Sequence, residues 1–145
     1  MSIRLSSPAR CLLLLVMVLV VSSAAAARAQ RKVASISSGW VKLPAPGTTQ
    51  AEAYLVIDNP TAYDLSLQKP SSDAAGAVEI REAGKPAALD FLTVAAYGGL
   101  EMGGKSAYLL LRDLKQPLTE GATVPISVMT DSGAALTVQA VVKKE

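Results

Sequence analysis

Few side chains in this chain of 145 residues are able to do metal or acid–base chemistry. The chain has no histidine and one cysteine, which excludes serine–histidine and cysteine–histidine catalysis and any histidine-based metal site. Beyond the N-terminal apolar region lie two methionines, Met102 and Met129, whose thioethers are soft ligands of the kind that select Cu(I). Two thioethers alone make a poor metal site, and methionine beside a strand is often a core filler. Acidic residues such as Asp58, Asp64, Glu79 and Glu82 fall on outward-facing positions, with no pair placed for proton transfer. The sequence therefore favours a binding protein over an enzyme.

The first 29 residues have the pattern of an export signal. Arg4 and Arg10 form a charged start, residues 12–21 are an unbroken apolar run, and residues 27–29 read Ala-Arg-Ala, a small-x-small cleavage site. A membrane-spanning helix needs about 20 apolar residues, so this run favours cleavage near Ala29 over a retained anchor. We expect a periplasmic or secreted protein that has no membrane contact after cleavage.

Removal of the signal peptide, residues 1–29, changes the charge and the cysteine content. These residues hold three of the 14 basic residues and no acid, which leaves 11 basic against 12 acidic residues in the domain at residues 30–145. This near-neutral balance gives no electrostatic argument for nucleic-acid binding. Cys11 precedes the apolar run, so it is not placed like a lipoprotein cysteine, and without it no disulfide can form. Residues 30–145 are enough for one domain with its own core.

The elements that must position any site are short strands. Apolar and polar residues alternate in several segments, which proline and glycine turns separate, and no segment sustains a 3.6-residue period. In the segment at residues 51–58, for example, Leu55 and Ile57 share one face and Tyr54 and Val56 share the other. The pattern predicts an all-β sandwich or barrel of about eight short strands, at residues 33–43, 51–58, 64–68, 77–82, 88–96, 107–111, 123–129 and 135–142.

Patches in the same order along the chain resemble periplasmic copper chaperones of the PCu(A)C type. The patches are ISSGWV at residues 36–41, PAPG at 44–47, AEAYLVIDN at 51–59, AVEIRE at 77–82, GGLEM at 98–102 and LKQPLTEG at 114–121. The resemblance implies a cupredoxin-like Greek-key antiparallel β-sandwich. It also implies a family role in Cu(I) trafficking to cytochrome c oxidase, with Cu(I) held by histidine imidazoles and methionine thioethers.

The positions that the resemblance assigns to copper ligands carry other residues in this chain. Arg81 and Ala83 stand where the family has a histidine and often a methionine, and Thr93 stands near an expected methionine. Tyr108 and Leu110 occupy the positions of a histidine-x-methionine pair. We therefore expect no metal ligands and no cofactor, with Cu(I) suggested by the resemblance only. One hypothesis is that Arg81 and Tyr108 come together at this position, with the guanidinium replacing the charge of the ion.

Two functional hypotheses follow. The protein is either a copper-chaperone-like carrier whose usual site is substituted, or a metal-free interaction module derived from the same fold. Both imply a protein partner, such as an oxidase-assembly or copper-handling protein. Two aromatic residues also remain open: Trp40 is a binding platform or a core residue, and Tyr97 is a partner contact or a turn-packing residue.

Overall fold

The computed structural model describes residues 32–145, and the predicted signal peptide with Cys11 lies outside them. The described chain folds into nine β-strands, and no helix in it is long and apolar enough to cross a membrane. The strands are β1 (Ser35–Lys42), β2 (Ala51–Asn59), β3 (Leu65–Ser71), β4 (Ala75–Glu82), β5 (Phe91–Val94), β6 (Gly98–Glu101), β7 (Ala107–Leu114), β8 (Thr123–Thr130) and β9 (Ala135–Lys143). The all-β prediction is therefore confirmed.

The strands form one sheet that curls back almost onto itself. Neighbouring strands follow the order β4-β7-β2-β1-β9-β8-β3-β5, and β6 pairs with β2 beside this path. Leu89, just before β5, forms a bridge with Ile80 on β4, so the two ends of the path approach each other. The Leu89 amide donates to the Ile80 carbonyl oxygen at 2.8 Å. This bridge protects the outer edge of β4, where unpaired backbone groups would otherwise invite another strand.

The inward faces of the strands supply a single core. The alternation expected for β2 and β8 is confirmed, because Leu55, Ile57, Ile126 and other in-phase residues are buried while their neighbours point outward. Each fully buried leucine or isoleucine side chain stabilises the fold by about 1.5–3 kcal/mol relative to an exposed one. The largest side chains of the core are those of Leu55, Ile57, Leu67, Ile80, Leu109, Leu111 and Ile126.

Two features differ from the simple pattern of eight antiparallel strands. The segment Gly98–Glu101, which reads as a glycine-rich turn, forms a ninth strand that pairs with the end of β2. A Cβ atom at Gly99 would lie 3.2 Å from the carbonyl oxygen of Ile57, so glycine permits this close approach. In addition, β1 and β9 pair in parallel, whereas the other pairs are antiparallel. A local hydrophobic pattern contains no information about the direction of a partner strand from the far end of the chain.

Candidate functional site

Positions assigned to copper ligands by the resemblance lie on one face of the sheet. Arg81 on β4 is directly opposite Tyr108 on β7, and the next outward pair along these strands is Glu79 and Leu110. Leu110 is also opposite Glu52 on β2. Because side chains alternate along a strand, these five residues point away from the core. We call this surface, on β4, β7, β2 and β1, the outer face.

The guanidinium group of Arg81 is held in place by two partners. Its Nε and Nη2 atoms lie 2.9 and 2.7 Å from Oε2 of Glu79, and Nη1 donates to the carbonyl oxygen of Pro86 at 2.5 Å. The second carboxylate oxygen of Glu79 accepts from Nη1 of Arg112 at 2.9 Å. Hydrogen bonds from Arg112 and Arg81 lower the pKa of Glu79 below its ordinary value. A carboxylate shared by two arginines therefore occupies this part of the outer face.

Aromatic side chains continue the outer face across β2 and β1. Trp40 and Tyr54 are opposite each other, with ring centroids 4.7 Å apart and planes tilted by 47°. The Nζ atom of Lys143 lies 4.7 Å from the centroid of a Trp40 ring, a cation–π contact. The hydroxyl of Tyr54, a buried residue, donates to a carboxylate oxygen of Glu52. Burial is the larger cause and this hydrogen bond the smaller cause of a raised pKa for Tyr54. Trp40 is thus partly buried and packs against the core.

The remaining assigned positions bring no metal-binding group to this face. The Ala83 amide donates to the Ser106 carbonyl oxygen at 2.7 Å, and Thr93 is exposed on β5. Arginine, alanine, threonine, tyrosine and leucine supply neither an imidazole nor a thioether, which are the donors that suit Cu(I). Within residues 32–145, no group of three or more His, Cys, Asp or Glu side chains is placed to hold a metal ion. The residues present do not fit a Cu(I) site of the usual kind.

Met102 and Met129 do not supply a substitute site. Met102 is buried in the core, and its amide donates to the carbonyl oxygen of Leu55 at 2.9 Å. Met129 is partly exposed on β8, between two inward residues, Val128 and Thr130, that are buried. The two thioethers therefore lie on opposite sides of the sheet, so they cannot share one ion.

An open cavity of about 560 Å³ adjoins the outer face. Its floor includes Lys42, Glu52 and Leu110, and its wall is the loop between β1 and β2. Lys42 is paired with Glu145, and this hydrogen bond raises the pKa of Lys42. The charged groups on its floor, Lys42 and Glu52, are thus already engaged by Glu145 and by the hydroxyl of Tyr54.

A second feature, which the sequence pattern does not indicate, is built around Asn59 at the end of β2. Its side chain is only 1% exposed, and the amide nitrogen donates to the carbonyl oxygens of Tyr63, Val94 and Ala95 at 2.8, 3.1 and 3.2 Å. Its side-chain oxygen accepts from the amide and hydroxyl of Thr61 at 3.2 and 2.6 Å. Asn59 thus holds the β2–β3 loop against the end of β5. From sequence, Asn59-Pro60 predicts only that a strand ends there.

Further hydrogen bonds join the same two loops. The Tyr97 amide donates to the Thr61 carbonyl oxygen at 2.9 Å, and the Ala96 amide donates to Oδ1 of Asp64 at 2.9 Å. The side chains of Tyr63 and Tyr97 are 79% and 74% exposed. Tyr97 is therefore an exposed loop residue and does not pack in the turn, and its role as a partner contact stays a prediction.

Solved copper-chaperone domains have the same fold. The apo PCuAC domain from PmoF1 matches with a TM-score of 0.72 at 18% identity, over 79% of this chain and 96% of that one. The copper-bound PCuAC domain from PmoF2 matches with a TM-score of 0.70 at 18% identity, over 79% and 95%. The Cu(I) form of DR1885 from Deinococcus radiodurans matches with a TM-score of 0.66 at 25% identity, over 81% and 83%. The expected cupredoxin-like β fold is therefore confirmed.

Sequence comparison identifies the family. No curated protein matches the chain. The family model described as "Putative lipoprotein LpqE-like" matches residues 34–142, nearly the whole described domain. The domain of this chain has the fold of PCuAC copper chaperones, and by its sequence the chain belongs to the LpqE-like family.

Proposed function

We propose that this protein is an exported, copper-chaperone-like module that works through protein–protein contacts and does not itself carry Cu(I). The observation that supports this role is the pair of Arg81 and Tyr108, in register on adjacent strands where the resemblance places two histidines. The Arg81 guanidinium is fixed by Glu79, and because it stays protonated it offers no lone pair to an ion at the position that the resemblance assigns to a ligand.

The process in which the module works is proposed from the fold and the family resemblance. PCu(A)C chaperones deliver Cu(I) toward the copper centre of cytochrome c oxidase, and a relative with the same shape is suited to the same partners. An oxidase-assembly or copper-handling protein is therefore the proposed partner, contacted outside the cytoplasm. Because fold alone does not establish function, copper binding has to be tested directly.

The alternative is a Cu(I) carrier that uses other ligands. It is supported by the structural match, at 25% identity, to a protein solved in its Cu(I) form. In this chain its ligands would come from Met102, Met129 and the new N-terminal amine, but the two methionines lie on opposite sides of the sheet.

A competition titration tests the proposal. The protein is produced with its own leader, purified after export and titrated with Cu(I) against a chromophoric chelator. We expect the chelator to retain the metal, since no pair of soft donors converges in the part of the chain that the structure describes. Stoichiometric transfer of Cu(I) to the protein would overturn the proposal in favour of the carrier.

The intact mass of the exported protein tests the proposed domain boundary. A mass that begins at Gln30 supports a cleaved signal peptide at residues 1–29. A lipid-modified N-terminus, as the family description suggests, would instead place the protein at a membrane surface. Cys11 would have to carry that lipid, because it is the only cysteine in the chain.

A further inference from the structure

The β2–β3 and β5–β6 loops are joined by hydrogen bonds and present two tyrosines to solvent. Tyr63 and Tyr97 are among the most exposed large side chains of the described domain, at 79% and 74%. Both loops are held by the buried side chain of Asn59 and by the bond between the Tyr97 amide and the Thr61 carbonyl oxygen. A surface that is already ordered loses little conformational entropy when it binds. We call it the tyrosine platform: residues 60–64 and 95–97.

Stability does not explain the identity of residue 97. Tyr97 has φ of +53°, in the left-handed region that costs free energy for a residue with a side chain. Glycine would adopt this conformation without that cost, and two glycines follow directly at Gly98 and Gly99. A ring that is three-quarters exposed regains little by burial. Strain of this kind is common at binding sites, although Lys69 and Asp113 of the same domain also have positive φ.

Most of the charges around the platform are negative. Asp58, Asp64 and Asp131 are exposed at this end of the sheet, where Asp58 is opposite Gly99 and the Asp131 amide donates to the Ser66 carbonyl oxygen. The segments 57–66, 94–101 and 130–134 contain no lysine or arginine. The lead-in to β1 carries one exposed lysine, Lys32.

We propose that the tyrosine platform binds a lysine- or arginine-rich segment of a protein partner. Aromatic faces attract such cations, as Lys143 over Trp40 illustrates in the same molecule, and the surrounding carboxylates add charge complementarity. An anionic membrane surface would be repelled by the same aspartates, which favours a protein over a lipid partner. This inference names the surface and the partner chemistry for the protein-binding role proposed above, and it rests on that role.

Fluorescence anisotropy with a labelled short peptide of lysine, arginine and glycine tests the proposal on the exported protein. A peptide with glutamate in place of the basic residues is the second probe. We expect the basic peptide to bind and the acidic one not to. The double variant Tyr63→Ser/Tyr97→Gly should weaken binding by about tenfold or more, because exposed tyrosines of this kind are typical binding hot spots. Asp58→Asn with Asp131→Asn should also weaken binding and reduce its salt dependence.

Phe91→Ser is the matched control, since Phe91 is also an exposed aromatic residue, 57% exposed, but lies at the other end of β5. Its affinity for the basic peptide should equal that of the unchanged protein. Glycine adopts a positive φ without strain, so the double variant with Tyr97→Gly should lose affinity for the basic peptide without losing thermal stability.

Three results would overturn the proposal: equal binding of both peptides, equal loss in Phe91→Ser, or tyrosine-dependent binding to phosphatidylglycerol vesicles in preference to the basic peptide. Failure here is separate from failure of the proposed function. Copper binding by the unchanged protein would overturn the metal-free role even if the platform still selected the basic peptide.

Discussion

Replacing Asn59 by alanine should destabilise the protein far more than the loss of one surface polar group. The Asn59 amide has two N–H donors shared among the carbonyl oxygens of Tyr63, Val94 and Ala95, and its own oxygen accepts from Thr61. Each donated bond contributes about 0.5–1.5 kcal/mol net, and an acceptor left buried without a partner costs about 1–3 kcal/mol. The bond to the Val94 carbonyl oxygen is buried, whereas those to Tyr63 and Ala95 are partly buried, so these two oxygens can accept from water instead. We therefore expect Asn59→Ala to lower the free energy of unfolding by roughly 3 kcal/mol.

Urea unfolding of the exported protein measures this loss as a lower midpoint at an unchanged m-value. Ser37→Ala is the matched control, because Ser37 also bonds a backbone oxygen, that of Val56 at 3.2 Å, but is exposed. We expect it to cost less than about 0.5 kcal/mol. Hydrogen exchange should also speed up at the Ala96 and Tyr97 amides in Asn59→Ala, since the two loops are no longer held together. If Asn59→Ala cost no more than Ser37→Ala, the view of Asn59 as the residue that organises the platform would be wrong.

Two further predictions concern the outer face. A triple variant, Arg81→His with Tyr108→His and Leu110→Met, should bind Cu(I) in the chelator titration. Positions 81 and 108 are opposite each other on paired strands, where Cβ atoms lie about 4.5–5.5 Å apart, and position 110 is on the same face. A folded triple variant that takes up no copper would contradict the location of the site. Burial raises the pKa of Tyr54 in the folded protein above its ordinary value of 10.0. The stability that the neutral Tyr54 hydroxyl contributes is therefore complete below pH 10 and is lost as the pH rises through the pKa of the folded state. Ultraviolet titration should show Tyr54 ionising only as the protein unfolds, and Tyr54→Phe should remove this coupling. Ionisation of Tyr54 near pH 10 in the folded state would disprove it.

Much of the fold follows from local patterns. The alternation of apolar residues on β2 and β8 predicts both the strands and their buried faces, because a strand repeats every two residues. The positions of proline and glycine predict most of the turns between strands. The strand at Gly98–Glu101 could not be predicted in this way, since its glycines are needed for close approach to β2 and otherwise read as a turn.

The candidate site is predicted less completely. The residues Arg81 and Tyr108 can be singled out from sequence, but only as substitutions within a family resemblance. Their cross-strand pairing depends on the register of β4 against β7, and the clamp on Arg81 depends on Glu79 and Pro86. The platform around Asn59 is harder still to predict, because its hydrogen bonds join residues more than 30 positions apart.

The sequence by itself determines the absence of histidine, the alternating strands and the near-neutral charge of the domain, because these depend on composition and on neighbours along the chain. Tertiary structure alone decides that β1 meets β9 in parallel, that Met102 and Met129 lie on opposite sides of the sheet, and that Tyr63 and Tyr97 share one surface. Such facts depend on which distant segments pair and in which register. A local pattern specifies the face that a side chain takes, but not the neighbour that it meets there.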